Sequence, residues 1–292
     1  MKKALTFDIG GTKIYYTVVD ENGNITEEVE KFSTPKSLDE IKQIVNDAVL
    51  KYEDKVDTIG ISTAGAVNNE NTRVISSTGN LVSNYREFNF QEISKLPVFV
   101  ENDANAAAWA EHVIGASKDC PTSIMLTLGT GVGGGIIIND KLFKGKSGAA
   151  GEMHFKMYPD KRRKCTCGSY DCFEAYASGT GLKITAEEMS GNPNITTYDV
   201  IEGVNNGDNL MKDILDTWLS HITSGIIGLA NLFDPDCVVL SGSMAQFVDT
   251  DKIEQEVNQE IVTTATSIRL ATAGNYSGMI GAGLLAIRAI EA

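Results

Sequence analysis

No stretch of the chain is both apolar and long enough to cross a bilayer. The most apolar one, 124–138, is interrupted by glycines and spans too few residues. The N-terminus, MKKALTFDIGG, offers no uninterrupted apolar core for a secretory signal, because Asp8 and two glycines break it. Basic charge is scarce. Lys and Arg number 25 against 39 Asp and Glu, a net charge of −14, and the one small basic run is KRRK at 161–164. Such a chain repels a phosphodiester backbone, which argues against a nucleic-acid partner but leaves room for a local pocket that takes a small phosphate. Cysteine is also sparse, five in 292 residues. The expected setting is the reducing cytoplasm, where structural disulfides are disfavoured. Linkers and low-complexity tracts are missing.

A length of 292 residues suggests two domains, and 42 % apolar content allows each a substantial core. Strand-like runs alternate with helix-like stretches, which indicates an α/β protein. KALTFDI and KIYYTVVD read as strands joined by GGT. SLDEIKQIVNDAVLKY has one apolar helical face with Ser37 as a candidate N-cap. VDTIGIST and PVFVEND read as further strands, and ANAAAWAEHVIG as a helix ended by Gly115. Then the opening pattern returns, as SIMLTL, GTGVGGG and GIIIND. Strand, glycine turn and strand at the head of each half suggest two related domains facing one cleft, although two unrelated hairpins would look the same. SGNPNITTYD reads as a polar turn-rich piece. A long helix is expected from about Asn209 to Phe233, stopped by Asp234-Pro235. CVVLSG is a strand, and a helix closes the chain at about 278–290.

The glycine turns can present backbone N–H groups to an anion, with glycine supplying positive φ and leaving no side chain in the way. DIGGTK offers Gly10, Gly11, Thr12 and Lys13; LGTGVGG offers Gly129, Thr130, Gly131 and Gly133. Neither is a P-loop, because each leads into a strand. Asp8 beside the first turn suits a Mg²⁺ held through water. Asn102 and Asp103 stand where a strand meets a helix, as ordinary N-caps or with Asp103 as general base for a substrate hydroxyl. His154, Cys165, Cys167 and Cys172 make a Cys₃His set for a closed, structural zinc, against the alternative of three incidental thiols.

Taken in order, FDIGGTK, ENDANAAAWAE, LGTGVGGG, AAGE and CTCGSYDCFEAYASGTG resemble the ROK family (repressors, open reading frames, kinases) over nearly the whole chain. The resemblance implies an actin-like (ribonuclease H-like) two-domain fold with a central cleft for ATP and sugar. The implied domains are 1–115, with the helix at about 278–292 packing back on it, and 116–277 with the zinc segment. It implies a cytoplasmic, homodimeric, ATP- and Mg²⁺-dependent kinase acting on a hexose or N-acylhexosamine, at O6, with glucose and N-acetylmannosamine as leading candidates. Asp103 matches the catalytic base. Asn80, Asn102, Glu152, His154 and Glu174 match sugar-binding positions, the two turns match the phosphate sites, and Gly242 lies in the adenosine-side loop. One departure stands out. The family reads Glu-x-Gly-His, but here Glu152-Met153-His154-Phe155 lacks the glycine. With a gap His154 is the fourth zinc ligand; without one, Phe155 takes the place and the ligand is open. Pro159 favours the gap. Asp171 replaces a usual glycine, with an effect expected only on the local turn. The other readings are a sugar-sensing repressor, for which a first glycine turn beginning at residue 10 is expected to leave no room for a preceding helix-turn-helix, and a catalytically silent sugar-binding protein.

Overall fold

The computed structural model describes residues 1–76 and 81–291. In chain order its elements are β1 (Lys3–Ile9), β2 (Lys13–Asp20), β3 (Glu30–Ser33), α1 (Leu38–Tyr52), β4 (Thr58–Thr63), β5 (Ala66–Val67), β6 (Val74–Ser76), β7 (Val98–Asn102), α2 (Asp103–Ile114), β8 (Ser123–Leu128), β9 (Val132–Ile138) and β10 (Lys141–Leu142). There follow α3 (Glu174–Ala177), α4 (Gly179–Ser190), α5 (Thr197–Asn205), α6 (Asn209–Phe233), β11 (Cys237–Ser241), α7 (Thr250–Glu260), β12 (Ser267–Leu270) and α8 (Ser277–Glu291). Among the described residues no helix is long and apolar enough to cross a membrane.

Two units form. The first takes residues 1–121, 135–151 and 271–292; the second takes 122–134 and 152–270. The stretch 135–151 therefore differs from the division expected at 115. It carries most of β9 and β10, and its Gly135 lies against Ala104 and Ala108 of α2, where a Cβ would come within 2.5 Å of the Ala108 Cβ.

In the first unit the sheet order is β3-β2-β1-β4-β7. β1 and β2 form the expected antiparallel hairpin, from Lys3 opposite Asp20 to Ile9 opposite Ile14. β4 is buried along its whole length, as a central parallel strand should be. The registers place Asp8 of β1 beside Ser62 of β4, and Ser62 beside Glu101 of β7. Residues so aligned share a face of the sheet. α2 and α8 cover that face. Their composition of Ala and Gly, unpromising as an apolar stripe, has a steric reason. A Cβ on Gly281 of α8 would lie 1.7 Å from the Ala106 carbonyl oxygen, and one on Gly60 of β4 would lie 2.3 Å from that of Ala282.

The second unit is built on parallel strands β8, β11 and β12, with β11 between the other two. After β8 the chain turns at 129–131 into β9, whose first residues stay in this unit. α6 begins on Asp208, whose carboxylate accepts the N–H of Leu210 and Met211, and ends at Asp234 in left-handed geometry. Four helices were not legible in the sequence: the short α3, α4, α7, and α5, which starts inside the piece read as turn-rich. α5 opens with a capping box between Thr196 and Asp199.

Gly281 tests the packing. In a helix interior Gly→Ala ordinarily gains roughly 0.5–1 kcal/mol. Here the Cβ has no room, and overpacking costs about 1–3 kcal/mol or more. Gly281→Ala is therefore expected to lower the unfolding midpoint in denaturant; an unchanged or raised midpoint would show that α8 is not seated as described.

Candidate active site

The first unit gathers its polar groups at the C-terminal ends of β1, β4 and β7. Asp8 accepts a hydrogen bond from the Ser62 hydroxyl at 2.9 Å. Burial pushes its carboxyl above the usual range, and the Ser62 bond opposes this. A carboxylate held against that cost suits a bound cation, so Asp8 fits a water-mediated Mg²⁺. The turn that follows is closed by its own backbone: Gly10 N–H donates to the Lys13 carbonyl at 3.0 Å, and the Thr34 hydroxyl donates to the Gly10 carbonyl at 2.6 Å. Lys13 is exposed.

Asn102 and Asp103 divide the work at the start of α2. Asn102 is the N-cap, and its side-chain oxygen accepts the N–H groups of Ala104 and Asn105 at 3.0 and 3.1 Å. Its amide donates to the Gly65 carbonyl at 3.0 Å. Asp103 is the first helical residue, exposed, with Oδ1 accepting from Ala104 N–H at 2.8 Å and from the Asn102 amide at 3.1 Å. The cap is thus supplied by Asn102. Asn80 lies outside the described residues.

In the second unit the turn after β8 is closed by Gly129 N–H on the Gly131 carbonyl, 3.0 Å, and Gly133 N–H donates to Thr127 Oγ1 at 3.0 Å. None of Gly10, Gly11, Gly129, Gly131 and Gly133 has positive φ, so the expectation that they serve left-handed geometry is wrong. Gly131 is small for another reason. A Cβ there would sit 2.5 Å from Glu174 Oε2, the oxygen that accepts the Val132 N–H at 3.1 Å. The other carboxylate oxygen of Glu174 accepts the Thr166 hydroxyl and lies 3.4 Å from Cys165 Sγ. Glu174 therefore ties the glycine turn to the cysteine segment. Gly242 does need its glycine: φ is +88°, and a Cβ would meet the Leu128 carbonyl oxygen at 2.4 Å.

Sequence reasoning missed the start of α4. Ser178 caps that helix, Gly179 N–H donates to the Gly129 carbonyl at 2.8 Å, and the Thr180 hydroxyl donates to the Thr130 carbonyl at 2.7 Å. The positive end of a helix dipole is thereby set beside the turn. The signal was a Ser followed by Gly-Thr-Gly.

The cysteine segment brings four ligand atoms together, those of His154, Cys165, Cys167 and Cys172, all within 4.8 Å of one another. A tetrahedral zinc with bonds of about 2.0–2.3 Å separates its ligand atoms by roughly 3.5–3.8 Å. Cys165 Sγ to His154 Nδ1 is 3.4 Å and Cys167 Sγ to Cys172 Sγ is 3.7 Å, so the residues fit the ion. Phe155, the occupant in the ungapped register, instead stacks on Phe173 with centroids 4.9 Å apart. His154 Nε2 faces Glu152 Oε2 at 3.6 Å, the outer-shell carboxylate that a metal-bound imidazole commonly has. Asp171 does more than shape a turn. It sits at φ 57° with its carboxylate buried, accepting the N–H groups of Arg162 and Arg163 and the Tyr176 hydroxyl. Burial pushes that carboxyl up, but these donors outweigh it and hold it below the usual range.

The ROK family model matches residues 4–289. This chain belongs to the ROK family. Within the family it is 35 % identical over 309 residues to a glucokinase of Streptomyces coelicolor, covering 96 % of each chain. It is 30 % identical over 248 residues to an N-acetylmannosamine kinase of Yersinia pestis, covering 84 % of each. The crystal structure of a ROK family glucokinase from Streptomyces griseus, in complex with glucose and AMPPNP, matches with a TM-score of 0.79 at 32 % identity, covering 98 % of this chain and 99 % of that one. The fold is the actin-like one of the ROK sugar kinases.

The contact between Gly131 and Glu174 makes a prediction of its own. Gly131→Ala is expected to weaken ATP binding, because the carboxylate must leave the Val132 N–H. In a Glu174→Ala background the same change should cost less, and a double-mutant cycle should return a coupling of about 0.5–3 kcal/mol. Calorimetric titration of ATP into the four proteins measures it; strict additivity would remove Glu174 from the account of this turn.

Proposed function

We propose that the chain transfers the γ-phosphoryl group of ATP to O6 of a hexose, with glucose as first candidate and N-acetylmannosamine as second. The chain is an ATP-dependent sugar kinase. Glucokinase relatives at 35 % and 31 % identity support glucose, and an N-acetylmannosamine kinase at 30 % supports the alternative.

The observation that carries the mechanism is the carboxylate of Asp103, exposed at the head of α2 while Asn102 does the capping. The N–H of Ala104 and the amide of Asn102 orient it. Asp103 accepts the proton of the sugar hydroxyl as that oxygen attacks the γ-phosphorus. Gly10 and Gly129 spend their own N–H groups inside their turns. The phosphates are therefore taken by the N–H groups of Gly11, Thr12, Thr130 and Gly131, with the Lys13 ammonium as counter-charge. The loop at Gly242 borders the nucleotide. Mg²⁺, when bound, neutralises phosphate charge, and Asp8 is the residue that would hold it through water. Asn80, Asn102, Glu152, His154 and Glu174 are the sugar-side groups. A structural zinc on His154, Cys165, Cys167 and Cys172 orders the segment that carries three of them.

Asp103→Asn should leave the unfolding midpoint nearly unchanged, because the cap is Asn102. Loss of a general base typically costs about 10²–10⁴ in rate, so kcat should fall at least that far with sugar affinity nearly kept. Near-full kcat in this variant would sink the mechanism. A panel of hexoses and N-acylhexosamines, scored by ADP release, identifies the sugar.

The metal is tested separately. Elemental analysis should find one zinc per chain, and Cys167→Ser and His154→Ala should both lose it, with a raised KM for sugar and little change in ATP binding. Retention of zinc by His154→Ala but not by Cys167→Ser would assign the fourth ligand elsewhere.

A further inference from the structure

The first unit contains a cavity of about 290 Å³ away from the residues assigned so far. That volume is at the small end for ligand pockets, enough for a molecule of one ring. Phe99, Trp109, Leu142 and Leu285 supply apolar wall. Over this wall the chain, which carries −14 overall, turns locally positive. Lys141, Lys144 and Arg288 line the cavity against one carboxylate, that of Glu101. The Arg288 guanidinium lies over the Trp109 ring, 4.7 Å from its centroid, a position that fixes its plane, and one of its N–H groups donates to the Asp140 carbonyl at 3.5 Å. Among the described residues neither Lys141 nor Arg288 forms an ion pair.

The fourth charge connects the cavity to the start of α2. Glu101 is fully buried, and its Oε2 pairs with Lys144 Nζ at 2.9 Å and accepts the Asn71 amide at 2.7 Å. Its Oε1 accepts the Asn102 N–H at 2.9 Å and the Asn105 amide at 3.1 Å. Asn71 reaches this position from left-handed geometry, φ 57°, a conformation that costs energy in a residue with a side chain. An anion placed in the cavity would compete with Glu101 for Lys144. Any shift of that carboxylate is delivered to the N–H of Asn102, next to Asp103.

We propose that this cavity binds a small organic anion with an apolar ring-sized body, and that binding is transmitted through Lys144 and Glu101 to Asn102 and Asp103. The apolar wall selects the body, and Lys141 and Arg288 select the negative group. The transmission rests on the kinase reading of Asp103; the binding does not.

Phenyl phosphate serves as probe, with phenol and inorganic phosphate as controls. The chain has two tryptophans. Trp218 is buried in α6 with its indole N–H on the Ala177 carbonyl at 3.1 Å, and so acts as an internal reference. In ¹⁵N spectra the indole resonance of Trp109 should move saturably with phenyl phosphate while that of Trp218 does not. Phenol and phosphate should each bind at least about tenfold more weakly. Charge reversal by Arg288→Glu, and independently by Lys141→Glu, should weaken phenyl phosphate by a similar factor. A silent Trp109 resonance, equal binding of phenol, or indifference to both reversals overturns the site. With the cavity filled, kcat for sugar phosphorylation should change in the wild type and stay constant in Arg288→Glu. An unchanged wild-type kcat overturns the transmission alone, and absence of any kinase activity overturns the functional reading while the spectra still decide the site.

Discussion

The first unit depends on how closely α8 can lie against α2 and the sheet. Ordinary helix pairs keep axes about 8–10 Å apart because side chains fill the gap. Here backbone meets backbone at Gly281 and Ala106, and at Gly60 and Ala282, and Gly283 leaves its space to Thr6 and Val19. These contacts fix α2, and α2 begins at Asp103. The carboxylate proposed as general base is therefore positioned by glycines that never approach it. The same face of the sheet aligns Asp8, Ser62 and Glu101 in one row by register. In open α/β sheets the strand C-terminal ends are where ligands are held, and the row runs along that edge.

The second unit solves a different problem. Residues 152–173 contain little regular structure, only isolated bridges such as Lys156 with Cys172 and Lys164 with Tyr170. Their apolar cluster is small, Cys165, Cys172, Ala175 and Tyr176 with Met157 and Tyr158 packed against it. Order must come from polar groups. Asp171 gathers two backbone N–H groups and a tyrosine hydroxyl at the centre, and the side chains of His154, Cys165, Cys167 and Cys172 converge beside it.

Much of this was legible in the sequence, for identifiable reasons. β1, β8 and α6 were readable because hydrophobic periodicity and caps act locally. His154 could be favoured over Phe155 from a gap and a proline, and the structure supplies what spacing lacked: one side chain reaches the thiols and the other stacks on Phe173. The role of Gly131 was not legible. Its neighbour Glu174 is far along the chain, and a glycine kept small by a carboxylate looks the same in sequence as one kept small for a phosphate. The start of α4 escaped for the reverse reason, since Ser-Gly-Thr-Gly carries no apolar period and reads as loop. Glu101 was passed over because a glutamate in a strand is expected at the surface, and nothing nearby in sequence announces Lys144 or Asn71 as its partners.

Glu174 shows why a residue's role is hard to carry from motif to molecule. By pattern it belongs with the sugar-binding groups. In the structure both its oxygens are engaged, one by the Val132 N–H and the other by the Thr166 hydroxyl. A carboxylate can accept more than two hydrogen bonds, so these partners leave capacity for a sugar hydroxyl. The two roles are then one: a sugar hydroxyl that drew on the Thr166-side oxygen would tighten or loosen the grip of the other on the turn after β8. Binding at a hydroxyl and the shape of the turn after β8 would share a single side chain. Replacing Glu174 by Gln keeps the size but halves the acceptor capacity, so its single oxygen can accept from the Val132 N–H or from the Thr166 hydroxyl but not from both. The charge, more than the shape, lets one residue serve the cysteine segment and the glycine turn together.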